Sequence, residues 1–310
     1  MNSSTSSFKT ECKVILFVLL SLVLVELYAR HLSRGMWDPR QLRALPEQTA
    51  QLQGAQPKGV LFLGNSLFRD GLDPEILEST LEKPGRPVLR LAASGTTITD
   101  WYYYFRTYFS RKERVPELVV VGFARRHLDD QNRLVPGRLG AYSCEMCDTP
   151  EVFSEDITDF GGRVEFFQGM ALVSVAHRDW LRHRYLMRVA DNYPETQQRV
   201  HDDLQLRTQK AVPEAPTYTR LRRFIQTVRE SRARLVFVAM PTKHPYAINS
   251  EILIAAREAG VPILDCREVP GISRADFKDN VHLTPDGARV FSRYLAKRLE
   301  PDAARLAEGR

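Results

Sequence analysis

The chain has 310 residues, 43% of them hydrophobic, enough to bury one sizeable core and better suited to a single domain plus a tail than to two domains. A net charge of +6 is compatible with anionic envelope polymers or lipid head groups, but no nucleic-acid module accompanies it, which argues against DNA or RNA as partner. No dinucleotide fingerprint or phosphate loop occurs, so no cofactor is expected.

Residues 1–11 are polar and serine-rich. Val14 to Val25 is then an apolar run interrupted only by Ser21, extended to Ala29 with Glu26 as its only charge. About 20 apolar residues cross a bilayer, and a terminal run that is apolar on every face makes a poor core helix. Leu27-Tyr28-Ala29 lacks the small first residue that cleavage favours. Residues 12–34 are therefore expected to be an uncleaved signal anchor rather than a cleaved peptide. Lys9 and Lys13 precede the run, while Arg30, Arg34, Arg40 and Arg43 follow it. Taken by itself, the positive-inside rule puts the main domain in the cytoplasm. Residues 35–57, with Pro39, Pro46, Pro57 and several glutamines, read as a linker.

Gly59 to Leu63 has the composition of a buried strand, and Gly64 reads as the residue that permits a tight turn after it. Ser66 then stands at the carboxyl end of that strand, where open α/β sheets collect ligands. From this stretch alone, Ser66 is as readily a helix cap as a nucleophile. Pro74–Leu81 reads as a short helix and Val88–Ala92 as a second strand. Thr97–Ser110 reads as a helix crowded by Trp101, Tyr102, Tyr103, Tyr104, Phe105, Tyr108 and Phe109. Such a helix usually covers a sheet, although Trp101 or Tyr102, a turn or two after Gly95, is also placed to line a pocket. Leu118–Val121 is a third strand, running into Gly122-Phe123-Ala124-Arg125.

From Asp129 to Pro216 no parallel-strand pattern occurs, while Gly169–Ala190 and Glu195–Lys210 look helical. This is a helical insertion at about residues 129–216, with basic helices suited to an anionic glycan or a membrane surface. His177, His183 and His201 read there as solvated side chains rather than metal ligands. Cys144 and Cys147 supply two thiolates where structural zinc takes four ligands, so no metal site is expected. Tyr218–Ser231 is an amphipathic helix and Arg234–Ala239 a fourth strand. The exit loop of that strand, Met240–Tyr246, carries His244, a rival base with no carboxylate at useful spacing. Asn249–Ala259 reads as helical and Val261–Leu264 as a fifth strand. Alternating strands and helices predict a doubly wound, mainly parallel α/β sheet with right-handed crossovers.

Beyond the fifth strand, Asp279 and His282 lie three residues apart, just before Thr284-Pro285, which reads as a helix N-cap and first-turn proline. A serine hydroxyl needs a neighbouring imidazole to take its proton, and the imidazole needs a carboxylate to fix its tautomer. Ser66, His282 and Asp279 supply those three roles. Taken alone, Asp-x-x-His is more often a solvated helix start. Paired with a Gly-x-Ser after the first strand it becomes a candidate catalytic set.

These residues resemble the SGNH/GDSL hydrolase superfamily over roughly Lys58 to Leu299. Gly64-Asn65-Ser66 is similar to its first block, although Asn65 replaces the usual aspartate, and Asp279-x-x-His282 to its last. Leu61 to Pro74 looks most like membrane-associated branches, DltD-like and alginate O-acetyltransferase-like proteins. The resemblance implies a flavodoxin-like five-stranded sheet and an acyl-serine mechanism on O-acyl esters of cell-envelope glycan, passing the acyl group to water or to a sugar hydroxyl. It also implies a catalytic domain held outside the inner membrane, against the charge bias. A transferase would need a multi-span partner to bring acyl groups across the bilayer. Gly95 matches the second-block glycine, so Gly95 and the Ser66 amide are the oxyanion candidates. Asn65, Trp101, Arg125 and His244 are candidate substrate contacts. Ala124 occupies the position of the third-block asparagine, a departure that favours an idle glycan-binding or assembly protein as the alternative. Outside the membrane, Cys144 and Cys147 are expected to form a local disulfide.

Overall fold

The computed structural model describes residues 4–54, 58–82, 84, 86–130, 134–193, 195–196 and 216–308. Five strands, β1 (Val60–Gly64), β2 (Val88–Ala92), β3 (Leu118–Phe123), β4 (Arg234–Ala239) and β5 (Ile263–Asp265), form one sheet in the order β2-β1-β3-β4-β5. Every neighbouring pair is parallel. This is the flavodoxin-like doubly wound order expected from the sequence, and it places all strand exits at one edge. β1 and β3 are buried throughout, as apolar runs in a two-sided parallel sheet require. β1 and β3 run side by side, with Leu63 opposite Val121.

Gly64 takes no left-handed backbone angle. It is glycine because a Cβ there would lie 2.9 Å from the Phe68 ring, and one on Gly122 would lie 2.3 Å from the same ring. Phe68 thus seats the turn after β1 on the sheet through two bare backbone positions. This space requirement replaces the tight-turn explanation drawn from the sequence.

The helices of the α/β unit are α2 (Trp37–Ala50), which begins just before it, α3 (Ser66–Gly71), α4 (Pro74–Leu81) and α5 (Ile98–Tyr104). α5 continues into the π-helical turn Phe105–Ser110, whose aromatics pack inward: Trp101, Tyr103, Tyr104, Phe105 and Phe109 are fully buried. The supposed linker is a correction. Residues 37–50 are helical because Leu42 and Leu45 recur at helical spacing and are buried, as is Leu52 just beyond. The amide of Gln41 then pairs with β2 as a neighbouring strand would: Nε2 donates to Arg90 O at 2.6 Å, and Oε1 accepts from Ala92 N at 3.2 Å.

The described parts of Met1–Arg40, Val135–Tyr142 and Thr149–Glu214 form a second compact unit, so the insertion groups with the N-terminal helix and not with the sheet. It comprises α1 (Ser4–Arg34), α6 (Pro136–Tyr142), α7 (Thr149–Glu151), α8 (Phe160–Ala171), α9 (Val173–Ala176) and α10 (Arg178–Val189). Thr10–Arg34 is a helix of 25 residues, long and apolar enough to cross a membrane. Glu26, the acid within its apolar run, is satisfied within the unit, accepting from the N–H groups of Val173 and Ser174 at 2.9 and 3.0 Å and from Ser174 Oγ at 2.7 Å. α6 and α8 touch backbone to backbone, since a Cβ on Gly169 would meet Gly137 O at 2.0 Å and one on Gly140 would meet Phe166 O at 2.2 Å. The helix expected at Gly169–Ala190 is broken at Leu172 and His177 into α8, α9 and α10. The one expected at Glu195–Lys210 lies, with His201, almost wholly outside the described residues.

Ser143–Asp148 belongs instead to the sheet unit. There the expected disulfide does not form: Cys144 and Cys147 are not joined to each other. The segment is held by the fully buried Asp148, which accepts from Arg111 at 2.6 and 3.0 Å and from the Glu145 amide at 2.8 Å. The sheet unit is completed by α11 (Thr219–Glu230), α12 (Ser250–Glu258) and α13 (Pro285–Glu308); the last runs on past Leu299, where the resemblance ends.

Candidate active site

Ser66 is the first residue of α3, two positions beyond the end of β1. Its helix is started by Asn65, whose Oδ1 accepts from Leu67 N at 3.0 Å. As the first helical residue, Ser66 has no intrahelical partner for its own N–H.

The loop from Phe277 to Leu283 arrives from the opposite end of the sheet. Phe277 and Leu283 form an antiparallel bridge, Lys278 N donates to His282 O at 2.9 Å, and Thr284 N donates to Asp276 O at 2.7 Å. This narrow closure leaves the side chains at its tip little freedom. Asp279 Oδ1 accepts the N–H groups of Val281 and His282, both at 2.8 Å, and Oδ2 lies 2.7 Å from His282 Nδ1. Burial works to raise the Asp279 carboxyl, but the Val281 amide and the His282 side chain and amide outweigh it and hold it below the usual range. A carboxylate at that position requires Nδ1 to carry the imidazole proton. Nε2 is then a lone-pair acceptor, and it lies 2.7 Å from Ser66 Oγ. Serine, histidine and aspartate are thus linked in series, in the geometry that turns a hydroxyl into a nucleophile.

The loop is also braced from α3. Asp70 bonds Arg69 at 2.8 and 2.9 Å and Lys278 at 2.8 Å, and Arg69 reaches on to Ser94 Oγ. Burial would raise the Asp70 carboxyl; the hydrogen bonds from Arg69 and Lys278 bring it down to about 2.

Gly95 follows β2 with a φ of 64°, a left-handed angle natural to glycine, and is exposed at the same edge. Thr96 links the two exits by donating from Oγ1 toward Gly64 O and Ala93 O, at 3.1 and 2.7 Å. Two candidate substrate contacts are internal struts instead. Trp101 is wholly buried, its indole N–H lying 3.2 Å from Gly64 O and 2.9 Å from Thr96 Oγ1. Asn65 is 3% exposed, with Nδ2 directed at Thr96 O and at His127 Nδ1, both at 3.1 Å. Neither is open to a ligand. Arg125 is exposed on the turn after β3, with a φ of 51°. His244 is exposed, and its ring meets no carboxylate among the described residues, which removes it as a rival base.

Ala124 has no side-chain donor and is buried. Sequence reasoning passed over the residue three positions later, His127, whose ring lies against Asn65 and the Ala124 amide. Its only signal was a histidine shortly after the third strand exit. No group of side chains that could hold a metal ion occurs among the described residues. An open cleft of ≈ 590 Å³ is walled by Lys243, Arg267, Glu268, Ile272, Arg274 and Phe277, the last at the base of the loop that carries Asp279 and His282.

No protein-family model matches the chain, and no curated protein matches it. Solved structures similar to it include Axe2, an acetylxylan esterase from Geobacillus stearothermophilus, at 10% identity and a TM-score of 0.39, covering 80% of this chain and 96% of that one. A lipase/acylhydrolase from Enterococcus faecalis matches at 11% identity and a TM-score of 0.38, covering 79% and 96%. A GDSL-like lipase from Bacteroides thetaiotaomicron matches at 12% identity and a TM-score of 0.38, covering 84% and 98%. These likenesses are faint, and the reading of the site rests on its own geometry.

Proposed function

We propose that the protein is a membrane-anchored serine esterase of the SGNH type that acts on O-acyl esters through an acyl-serine intermediate. The observation that carries this is the unbroken series Ser66 Oγ–His282 Nε2–Asp279, with 2.7 Å at each step. His282 takes the Ser66 proton as Oγ attacks the ester carbonyl. The resulting oxyanion faces the N–H groups of Ser66 and Gly95. As the tetrahedral species collapses, His282 returns the proton to the departing alkoxide, leaving the acyl group on Ser66. A second oxygen nucleophile then gives its proton to His282 and releases the acyl group by the reverse steps. Water as that nucleophile makes the protein a hydrolase; a sugar hydroxyl makes it an O-acyltransferase, which would depend on a multi-span partner for its acyl supply.

An acylated cell-envelope glycan is the substrate class favoured. The open cleft at the base of the catalytic loop suits a chain that extends past the ester, and Lys243 and Arg274 on its walls have no carboxylate partner among the described residues. The apolar span Thr10–Arg34 supports an anchor, and the extracytoplasmic placement follows from the substrate proposed. Ala124 favours the idle alternative, a glycan-binding or assembly protein.

Labelling with a fluorophosphonate separates the two. Full-length protein in detergent should be labelled at Ser66 and should release p-nitrophenol from p-nitrophenyl acetate, and Ser66→Ala should abolish both. Equal labelling of the wild type and Ser66→Ala would overturn the esterase reading. Adding a glycan acceptor and following acetate on the sugar then distinguishes transfer from hydrolysis.

A further inference from the structure

We propose that the Nε2–H of His127 is an oxyanion donor in this site, taking the place left without a side-chain donor at Ala124. The proposal rests on the serine esterase reading and adds a catalytic residue to it.

The fold sets the tautomer of His127. Asn65 Oδ1 accepts from Leu67 N at 3.0 Å, and Nδ2 lies 3.1 Å from the Thr96 carbonyl, so the orientation of the amide is fixed without reference to His127. The same Nδ2 then presents a hydrogen to His127 Nδ1 at 3.1 Å. The Ala124 N–H presents a second hydrogen to that nitrogen at 3.2 Å. A ring nitrogen facing two donors is the unprotonated one, which leaves the proton of the neutral imidazole on Nε2. His127 is therefore not a second general base, since its free edge already carries the hydrogen it would have to accept.

Position follows from the same contacts. Asn65 and Ala124 are 3% and 2% exposed, so the Nδ1 edge of the ring faces the interior. The residue as a whole is only partly exposed, and Nε2, on the edge away from these two donors, makes no hydrogen bond among the described residues. One partner of the ring, Asn65, directly precedes the nucleophile. The main chain is pinned as well, with His127 N bonded to Ala124 O at 3.2 Å and Ile98 N bonded to His127 O at 2.9 Å. The second bond joins the β3 exit to the segment that follows Gly95, bringing the three proposed donors to adjacent strand ends.

Electrostatics agree with a donor that never titrates in the working range. Burial, with the charges of Arg125 and His282 nearby, lowers the His127 imidazole to about 4. No proton leaves His127 in the cycle; it gives only a hydrogen bond to the oxygen that becomes negative, while the transferred proton moves between Ser66, His282 and the alcohol. One preorganised donor of this kind typically contributes ~10² to 10³ in rate.

The test uses full-length protein in detergent with p-nitrophenyl acetate. His127→Phe keeps a ring and removes the donor, and kcat should fall by about 10² to 10³ with KM little changed. His127→Gln offers an acceptor and an amide N–H, and should retain part of the rate. Equal loss in the two folded variants, or no loss in either, overturns the proposal. Should the His127→Phe variant fail to fold, the wild type answers by ¹⁵N NMR of its labelled imidazoles: His127 should show a protonated Nε2 and a bare Nδ1 at neutral pH, and the reverse tautomer overturns the donor role. Hydrolysis that survives Ser66→Ala would instead overturn the esterase reading.

Discussion

The two compact units of this chain treat polar and apolar groups in opposite ways. In the sheet unit, charged side chains are taken inside beside partners: Asp148 is buried against Arg111, and Arg220, 2% exposed, lies over the rings of Tyr102 and Tyr103 and bonds Tyr103 OH at 3.0 Å. In the other unit, apolar side chains are left outside. Phe17 is 72% exposed and Phe160 82%, and α10 buries none of its residues while carrying four arginines. A buried, satisfied polar network fixes side chains to fractions of an ångström, as a proton relay needs. A continuous exposed apolar helix is stable only beside a medium other than water, as an anchor needs. The proposed relay and the proposed anchor thus draw on separate parts of one sequence.

That contrast can be broken in a graded series. Ser66→Ala has the largest expected effect, a fall in kcat on the order of 10⁶ with unchanged thermal unfolding, read from ester hydrolysis and calorimetry. Asp279→Asn should follow, with a loss on the order of 10⁴, because an amide can present a hydrogen to Nδ1 and so stabilise the wrong tautomer. Gly122→Ala acts through packing: its Cβ would fall 2.3 Å from the Phe68 ring, two residues beyond the nucleophile. It should cost about 1–3 kcal/mol in denaturant unfolding and lower kcat as well. Gly169→Ala is the matching lesion in the other unit, since its Cβ would meet backbone rather than a movable side chain. Proteolytic cutting within residues 135–196 should accelerate while esterase activity persists; a parallel loss of both would show that the units fold as one.

The smallest effect is a pH effect. The Asp70 carboxyl lies at about 2 in the folded chain against an ordinary 3.8, so the unfolded chain binds the proton more readily. The stabilisation is complete above roughly pH 4 and is lost as pH falls through 3.8 toward 2. Asp70→Asn should flatten acid unfolding in that window, lowering stability at neutral pH, where the wild type holds the full contribution, and matching the wild type near pH 2. An unchanged acid profile would remove Asp70 as the brace of the catalytic loop.

What the sequence determined by itself is what short-range pattern encodes. Apolar runs at strand length defined five strands, and their alternation with helices defined the sheet. Asp279 and His282 were legible as a pair because their hydrogen bonds close within three residues. Tertiary structure decided the rest. Ser66 and His282 are 216 positions apart, and only the parallel sheet, with every exit at one edge, brings their side chains within 2.7 Å. Proline and glutamine made residues 37–50 look like a linker, yet the buried leucines and the open edge of β2 fold them as a helix. Asn65 and Trp101 carry groups that could bind a ligand, and their burial turned those groups inward. His127 lacked any motif, and its tautomer is set by the two donors that the fold places on one nitrogen. Local propensity repeats along the chain and can be read from it; the environment of a polar side chain is supplied by distant residues and appears only when the chain is packed.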